Sequence, residues 1–337
     1  MSIGDLVSAI VPLSAALASP SLGVRAAAIA VYAALVVLLI VAFDYLFGWT
    51  ERKVIAKIQA RHGPTYVGKY GLLQNFADIT KLLSKEHAAP KSAGKVLFLV
   101  TIPVMLATAI FLVMLLPFSP TLLASDLSLG ALALFVILSF APLMVFVGGV
   151  SSGNKFAAIG AQRSVAMLLS YEVPLILVIA TVALLANTYD FVGIIGAQAG
   201  TWFVFLMPVG FAVFFVAMLA EMERPPFDMR EADSELIAGW LTDVSAPYFS
   251  LALFLDYTRM FLGSLVMAIL FFGGWSGPVL PPAAWLLVKA FAISLFVIMV
   301  RATTARMRLD RLLRLGWTVL LPLAILNLII TCVIFLG

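Results

Sequence analysis

The chain has 337 residues, of which 63% are hydrophobic and only 11% charged, against about 25% charged in soluble domains. That balance excludes a soluble globular enzyme and leaves an integral membrane protein, read as one all-α bundle over residues 1–337. The net charge of +4 reports which loops carry lysine and arginine, and implies no nucleic-acid partner.

A spanning helix needs about 20 mostly apolar residues. Eight segments qualify in chain order: 26–47, 96–116, 129–150, 165–186, 202–220, 247–272, 283–300 and 317–336. Run length and the lack of alternating polarity predict a polytopic helical bundle rather than strands. Residues 1–24 are mildly apolar, with Pro12 and Pro20 and no basic leader, which predicts an interfacial lead-in rather than a cleaved signal. If the spans alternate, loops 48–95, 151–164, 221–246 and 301–316 share one face and hold 18 of the 21 basic residues. The positive-inside rule then predicts a multi-pass protein of the cell (inner or plasma) membrane, with these loops cytoplasmic and both termini outside.

The first span ends with Asp44, the pair Gly48 and Trp49 marks the interface, and a helix is expected to start near Trp49. Leu72, Leu73, Phe76, Ile79, Leu82 and Leu83 then recur at helical spacing, with Gln74, Asn75, Asp78, Lys81 and Lys85 opposite. This predicts an amphipathic interfacial helix, and Gly63, Pro64, Gly68 and Gly71 predict a turn before it. Residues 63–69, GPTYVGK, imitate a phosphate-binding loop. Tyr70 stands where a serine or threonine must reach magnesium, Pro64 removes an N–H, and no strand precedes, so the likeness is rejected.

The fourth span carries Glu172 between Tyr171 and Pro174, and the sixth carries Asp256 one turn before Arg259. A charge at such depth costs ~3 kcal/mol and typically marks an ion or proton route. The bland alternative is a polar residue satisfied by a neighbouring helix, and Asp256 with Arg259 would make a purely structural pair. Lys289 in the seventh span either snorkels outward or meets a partner subunit.

The densest polar stretch is 220–240, AEMERPPFDMREADSELIAGW, with six carboxylates in fifteen residues: Glu221, Glu223, Asp228, Glu231, Asp233 and Glu235. Only Arg224 and Arg230 oppose them, and Pro225-Pro226-Phe227 breaks the run with a rigid apolar corner. A solvated acidic loop would need no such corner. Carboxylates crowded where the dielectric is low resist ionising, which suits groups that hold and pass protons. Arg301 and Arg306, on the last loop of the same face, are placed to pair with this stretch. One cysteine, Cys332, and two histidines, His62 and His87, fall short of an iron–sulfur or haem ligand set. The chain is therefore expected to ligate no metal and to carry no redox centre.

Four motifs stand in order: ERKVIAKIQARHGP with VGKYGLLQNFADITKLLSKE, SGNKFAAIGAQRSVAMLLSYEV, AEMERPPFDMREADSELIAGW and RATTARMRLDRLLRLGW. Together they resemble the H-type membrane subunit of NADH-quinone oxidoreductase (respiratory complex I), called subunit 1 in mitochondria, from about Asp44 to the last span. The resemblance implies a non-redox subunit, inactive alone, within a proton-pumping quinone oxidoreductase. Its substrate would be a lipid quinone, and its partners the hydrophilic-arm subunits with their iron–sulfur clusters, antiporter-like membrane subunits and membrane lipids. By motif, Arg52, Arg61, Asp78, Lys81 and Phe227 would shape a quinone tunnel. Tyr171, Glu172, Glu221, Arg224, Asp228, Glu231, Asp233, Glu235 and Asp256 would form the proton path, with Arg163, Arg301 and Arg306 as cationic partners. The sequence departs from the family pattern at Thr65, Asp233, Asp243, Asp256 and Ala305. Those departures imply a distant branch, such as an archaeal one, and leave open a reduced deazaflavin or ferredoxin as electron donor. The alternative class is the anchor subunit of a related ion-translocating membrane-bound hydrogenase.

Overall fold

The computed structural model describes residues 22–120, 122, 127–230 and 233–336. Of the expected lead-in segment, 1–21 lie outside the described residues. Among the described residues the regular structure is helical throughout, apart from one isolated bridge between Ser119 and Leu122. In order come α1 (Leu22–Ile58), α2 (Gln74–Leu83), α3 (Lys95–Leu115), α4 (Gly130–Leu138), α5 (Phe140–Ser151), α6 (Lys155–Ala186) and α7 (Phe191–Ala197). There follow α8 (Phe203–Leu206), α9 (Pro208–Glu221), α10 (Asp233–Leu236), α11 (Ala246–Phe271), α12 (Pro282–Thr303), α13 (Leu309–Leu315) and α14 (Leu321–Leu336).

Seven helical stretches are long and apolar enough to cross a membrane, with α4 and α5 forming one and α13 to α14 another. The segment expected to span at 202–220 divides instead into the turn α8 and the 14-residue α9. Met207 leaves helical geometry at φ −134° and Pro208 restarts the helix, so α9 covers only ~21 Å. Its polar needs are met sideways, the Gly210 N–H donating to Asn327 Oδ1 on α14 at 3.1 Å.

The helix expected to begin near Trp49 is not separate. α1 runs unbroken for 37 residues, ~55 Å, past the ~30 Å hydrocarbon layer. No proline or glycine pair interrupts 49–58, so the helix carries Glu51 and Arg52 out of the apolar zone on one rigid rod. The amphipathic helix appears as α2, with Phe76, Ile79 and Leu83 exposed and Asn75 turned inward. It is held to α1 by Asn75 Nδ2 donating to the Tyr45 carbonyl at 2.9 Å.

α11 and α6 form the centre. Every residue of α11 from Thr258 to Phe271 is buried, because α12, α3 and α1 pack around it. α6 touches α5, α9 and α14. At Gly160 on α6 a Cβ would sit 2.8 Å from the Arg230 carbonyl and 3.2 Å from Gly239 and Trp240, so only glycine lets Arg230 and the 239–240 turn lie against this helix. That contact brings the polar loop into the bundle.

Candidate functional site

The loop after α9 is fastened inside the protein by ion pairs. Glu223 is fully enclosed and accepts from Arg259 Nη1 at 2.6 Å and from Ser164 Oγ at 2.7 Å, and it also pairs with Arg230. Arg230 bridges on to Asp256. Arg306 donates to Asp228 at 2.8 Å, and Arg163 pairs with Glu235. Arg224 stands 3.5 Å from Glu51 and 4.9 Å over the Tyr257 ring, while Arg301 also pairs with Glu51. Burying these charges is tolerable only because each meets an opposite charge or a hydrogen bond.

Several pairings differ from those the spacing suggested. Asp256 does not meet Arg259 one turn away, because Arg259 faces Glu223 and Asp256 faces Arg230. Arg306 does reach the acidic loop, but Arg301 turns to Glu51 on α1. Lys289 reaches the chain just past the end of α11. Its ammonium donates to the carbonyls of Phe272, Gly274 and Ser276 at 2.7, 2.9 and 2.8 Å, capping the end of α11. Trp202 and Trp285 flank it at 5.0 and 5.9 Å.

Two cavities adjoin the network. One, of about 560 Å³, lies between α1 and the turn before α2, lined by Glu51, Arg52, Arg61, His62, Tyr257 and Arg301 among others. Its wall is fixed by Arg52 bonding Asp78 at 2.6 Å, with Gln74 adding a bond to the same carboxylate at 2.9 Å. Partial burial would raise the Asp78 carboxyl, but these hydrogen bonds and the charges of Arg52 and Lys81 hold it below its ordinary value. The second cavity, about 10 Å³, matches roughly one water. It is walled by Ser139, Tyr171, Glu172 and Glu221, so the two glutamates from different helices face one space. Glu221 also interacts electrostatically with Arg259, Glu223 and Glu172. In the loop, burial pushes the Asp228 carboxyl above its ordinary value, although Arg306 and Arg230 oppose the shift.

Of the residues singled out by motif, Arg52, Arg61 and Arg301 line the larger cavity. Asp78 acts through Arg52, Lys81 is exposed on α2, and Phe227 is packed in the core away from the cavity. Glu231 and the Asp233 side chain lie outside the described residues. Asp44, Glu51, Glu223, Arg230 and Arg259 join the buried charges without having been given a site role by motif, although Glu223 and Arg230 were read in the acidic stretch and Arg259 as a structural partner. Charge alone was their signal: Asp44 and Arg259 interrupt apolar spans, and Glu51 lies seven residues beyond Asp44 on one helix face. Among the described residues, no group of three histidine, cysteine or carboxylate side chains is arranged to hold a metal.

Crossing helices and a polar loop drawn into their core define an all-α, multi-pass membrane protein. A family model described as NADH dehydrogenase matches residues 29–332. The H-type subunit numbered 2 of NADH-quinone oxidoreductase from Syntrophobacter fumaroxidans is 41% identical over 307 residues, covering 88% of this chain and 92% of its own. The H-type subunits of Dehalococcoides mccartyi (strain CBDB1) and Geobacillus sp. (strain WCH70) are 38% and 40% identical, covering 88% and 84% of this chain and 86% and 87% of their own. The chain belongs to the family of H-type subunits of NADH-quinone oxidoreductase.

Proposed function

We propose that this chain holds a lipid quinone in the cavity between α1 and α2 and couples its reduction to proton translocation through the buried charge network. The observation that carries the reading is continuity. Glu51 lines the cavity and pairs with Arg224. The adjoining Glu223 meets Arg259 and Arg230, and Glu221 shares the small inner cavity with Glu172. Arg52, Arg61 and Arg301 supply positive charge where an acceptor head group becomes negative on reduction.

The electrons come from an iron–sulfur cluster in a hydrophilic partner subunit docked on the face bearing the basic loops, the cytoplasmic face; α8 and α9 together make an eighth crossing beside the seven long ones, which leaves both termini opposite. Asp228, Glu231, Asp233 and Glu235 form the part of the loop that responds to the chamber, with Arg163 of α6 as a cationic partner. Tyr171, Glu172 and Asp256 pass the change onward to antiporter-like subunits. Moving one charge against 100 mV costs about 2.3 kcal/mol, so the path must exclude bulk water. The burial of Glu221 and Glu223 supplies that enclosure.

The test is Glu172→Gln and Glu235→Gln in the assembled complex, with proton uptake and quinone reduction measured together. The expected outcome is fewer protons per quinone with electron transfer retained. An unchanged ratio in both variants removes the carboxylate route.

A further inference from the structure

Asp44 is a buried carboxylate inside the first span that the route above does not use. It is only 6% exposed, and its Oδ1 has no hydrogen-bond partner. Its Oδ2 lies 2.9 Å from Thr258 Oγ1 on α11, and the same hydroxyl lies 2.9 Å from the Phe254 carbonyl. A hydroxyl has one proton for those two acceptors. With Asp44 ionised, Thr258 donates to it. With Asp44 protonated, the carboxyl donates to Thr258, and the hydroxyl proton turns to Phe254. Thr258 thus serves Asp44 Oδ2 in both states without moving the backbone, and Oδ1 has a partner in neither.

Glu51 sits seven residues further along α1, on the same face and ~10 Å along the axis. It is 3% exposed and receives two guanidinium groups on a single oxygen, Arg301 from α12 closely and Arg224 from the loop at 3.5 Å. Arg224 also acts electrostatically on Asp44. It rests against Tyr257, whose neighbour Thr258 holds Asp44. One carboxylate thus has two cations, while the other, on the same helix face, has a hydroxyl and an unsatisfied oxygen.

We propose that Asp44 is a proton-exchanging site that competes with Glu51 for Arg224, under the control of charge in the cavity. This rests on the quinone reading above. A negative head group draws Arg301, which lines the cavity, away from Glu51. Arg224 then closes on Glu51, and Asp44, losing that cation's field, takes one proton from cavity water admitted past Tyr257, which lines the cavity and adjoins Thr258. When the head group is neutral again, Arg301 returns to Glu51, Arg224 moves towards Asp44, and that proton goes back to the water. Charge balances at each stage: Glu51 always keeps one guanidinium, and Asp44 is either neutral or beside the other.

Redox-difference infrared spectroscopy of the assembled, quinone-loaded complex tests this. The parent is expected to show a protonated-carboxyl stretch appearing on reduction. That component is expected to be absent in Asp44→Asn and shifted in frequency in Thr258→Val, which keeps the carboxyl but removes its hydrogen-bond partner. An identical difference spectrum in Asp44→Asn overturns the proposal. If that variant does not assemble, an unshifted spectrum in Thr258→Val overturns it alone. Glu172→Gln separates the two readings. If that change lowers the proton ratio while Asp44→Asn leaves the spectrum intact, the Asp44 site fails and the coupling route stands. If Glu172→Gln and Glu235→Gln change nothing while the Asp44 component is lost, the route fails and the site stands.

Discussion

Replacing Glu223 by glutamine removes the most enclosed negative charge of the network. Its carboxylate is fully buried, and it receives Arg259, Arg230 and Ser164. Deleting one member of a buried ion pair costs roughly 3–5 kcal/mol, because the remaining charge is left desolvated. The low end applies here. Glutamine keeps an oxygen for Ser164 and one guanidinium, Arg230 retains Asp256, and Arg259 still feels Glu221. About 3 kcal/mol then corresponds to a fall of ~6 °C in Tm at roughly 2 °C per kcal/mol for a chain of this size. The contrasting control is Asp78→Asn, whose pair with Arg52 is more than a third exposed on both sides and is worth ~0–1 kcal/mol. Thermal unfolding of the purified complex, followed by loss of helical signal from this chain, measures both. The double change Glu223→Gln/Arg259→Gln removes charge and countercharge together and should recover ~1–2 kcal/mol of the single-variant loss. A Glu223→Gln shift no larger than that of Asp78→Asn, or a double variant whose losses simply add, refutes the account of a buried, mutually compensating cluster.

Asp228 in the loop and Asp78 on α2, both with shifted protonation, should give pH profiles of opposite sign. Asp228 is held above 3.8, so its contribution is present at the acid end and lost as pH rises through its folded-state value. The parent should therefore lose stability relative to Asp228→Asn across that rise, and parallel Tm-versus-pH curves would count against it. Asp78 is held below 3.8. Its contribution is present above that value and disappears as pH falls through the lower, folded-state one, so the parent's advantage over Asp78→Asn should vanish in strong acid. Lys289→Met strips the carbonyls of Phe272, Gly274 and Ser276 of their shared donor and should cost ~3 kcal/mol. Faster proteolysis at 272–281, with quinone reduction by the intact complex unchanged, is the expected result, and equal cleavage rates would refute the capping role.

Length and hydropathy along the sequence were enough to establish a multi-pass helical membrane protein. Helical spacing marked the amphipathic helix at 74–83, and four ordered motifs pointed to the family. These are local properties, set by side-chain transfer free energy and by spacing along one helix. Hydropathy windows could not see that Met207 breaks the fifth span and leaves α9 with 14 residues, nor that α1 continues through Trp49. Backbone geometry decides both, and the apolar count is the same either way. Nor could the sequence pair the charges. Arg259 lies one turn from Asp256 yet meets Glu223, and Arg301 meets Glu51 from 250 residues away. In a low-dielectric interior a charge binds whichever countercharge helix packing brings within a few ångströms. Only the close seating of the loop on Gly160 and the crossing of α1 with α11 and α12 determine which those are.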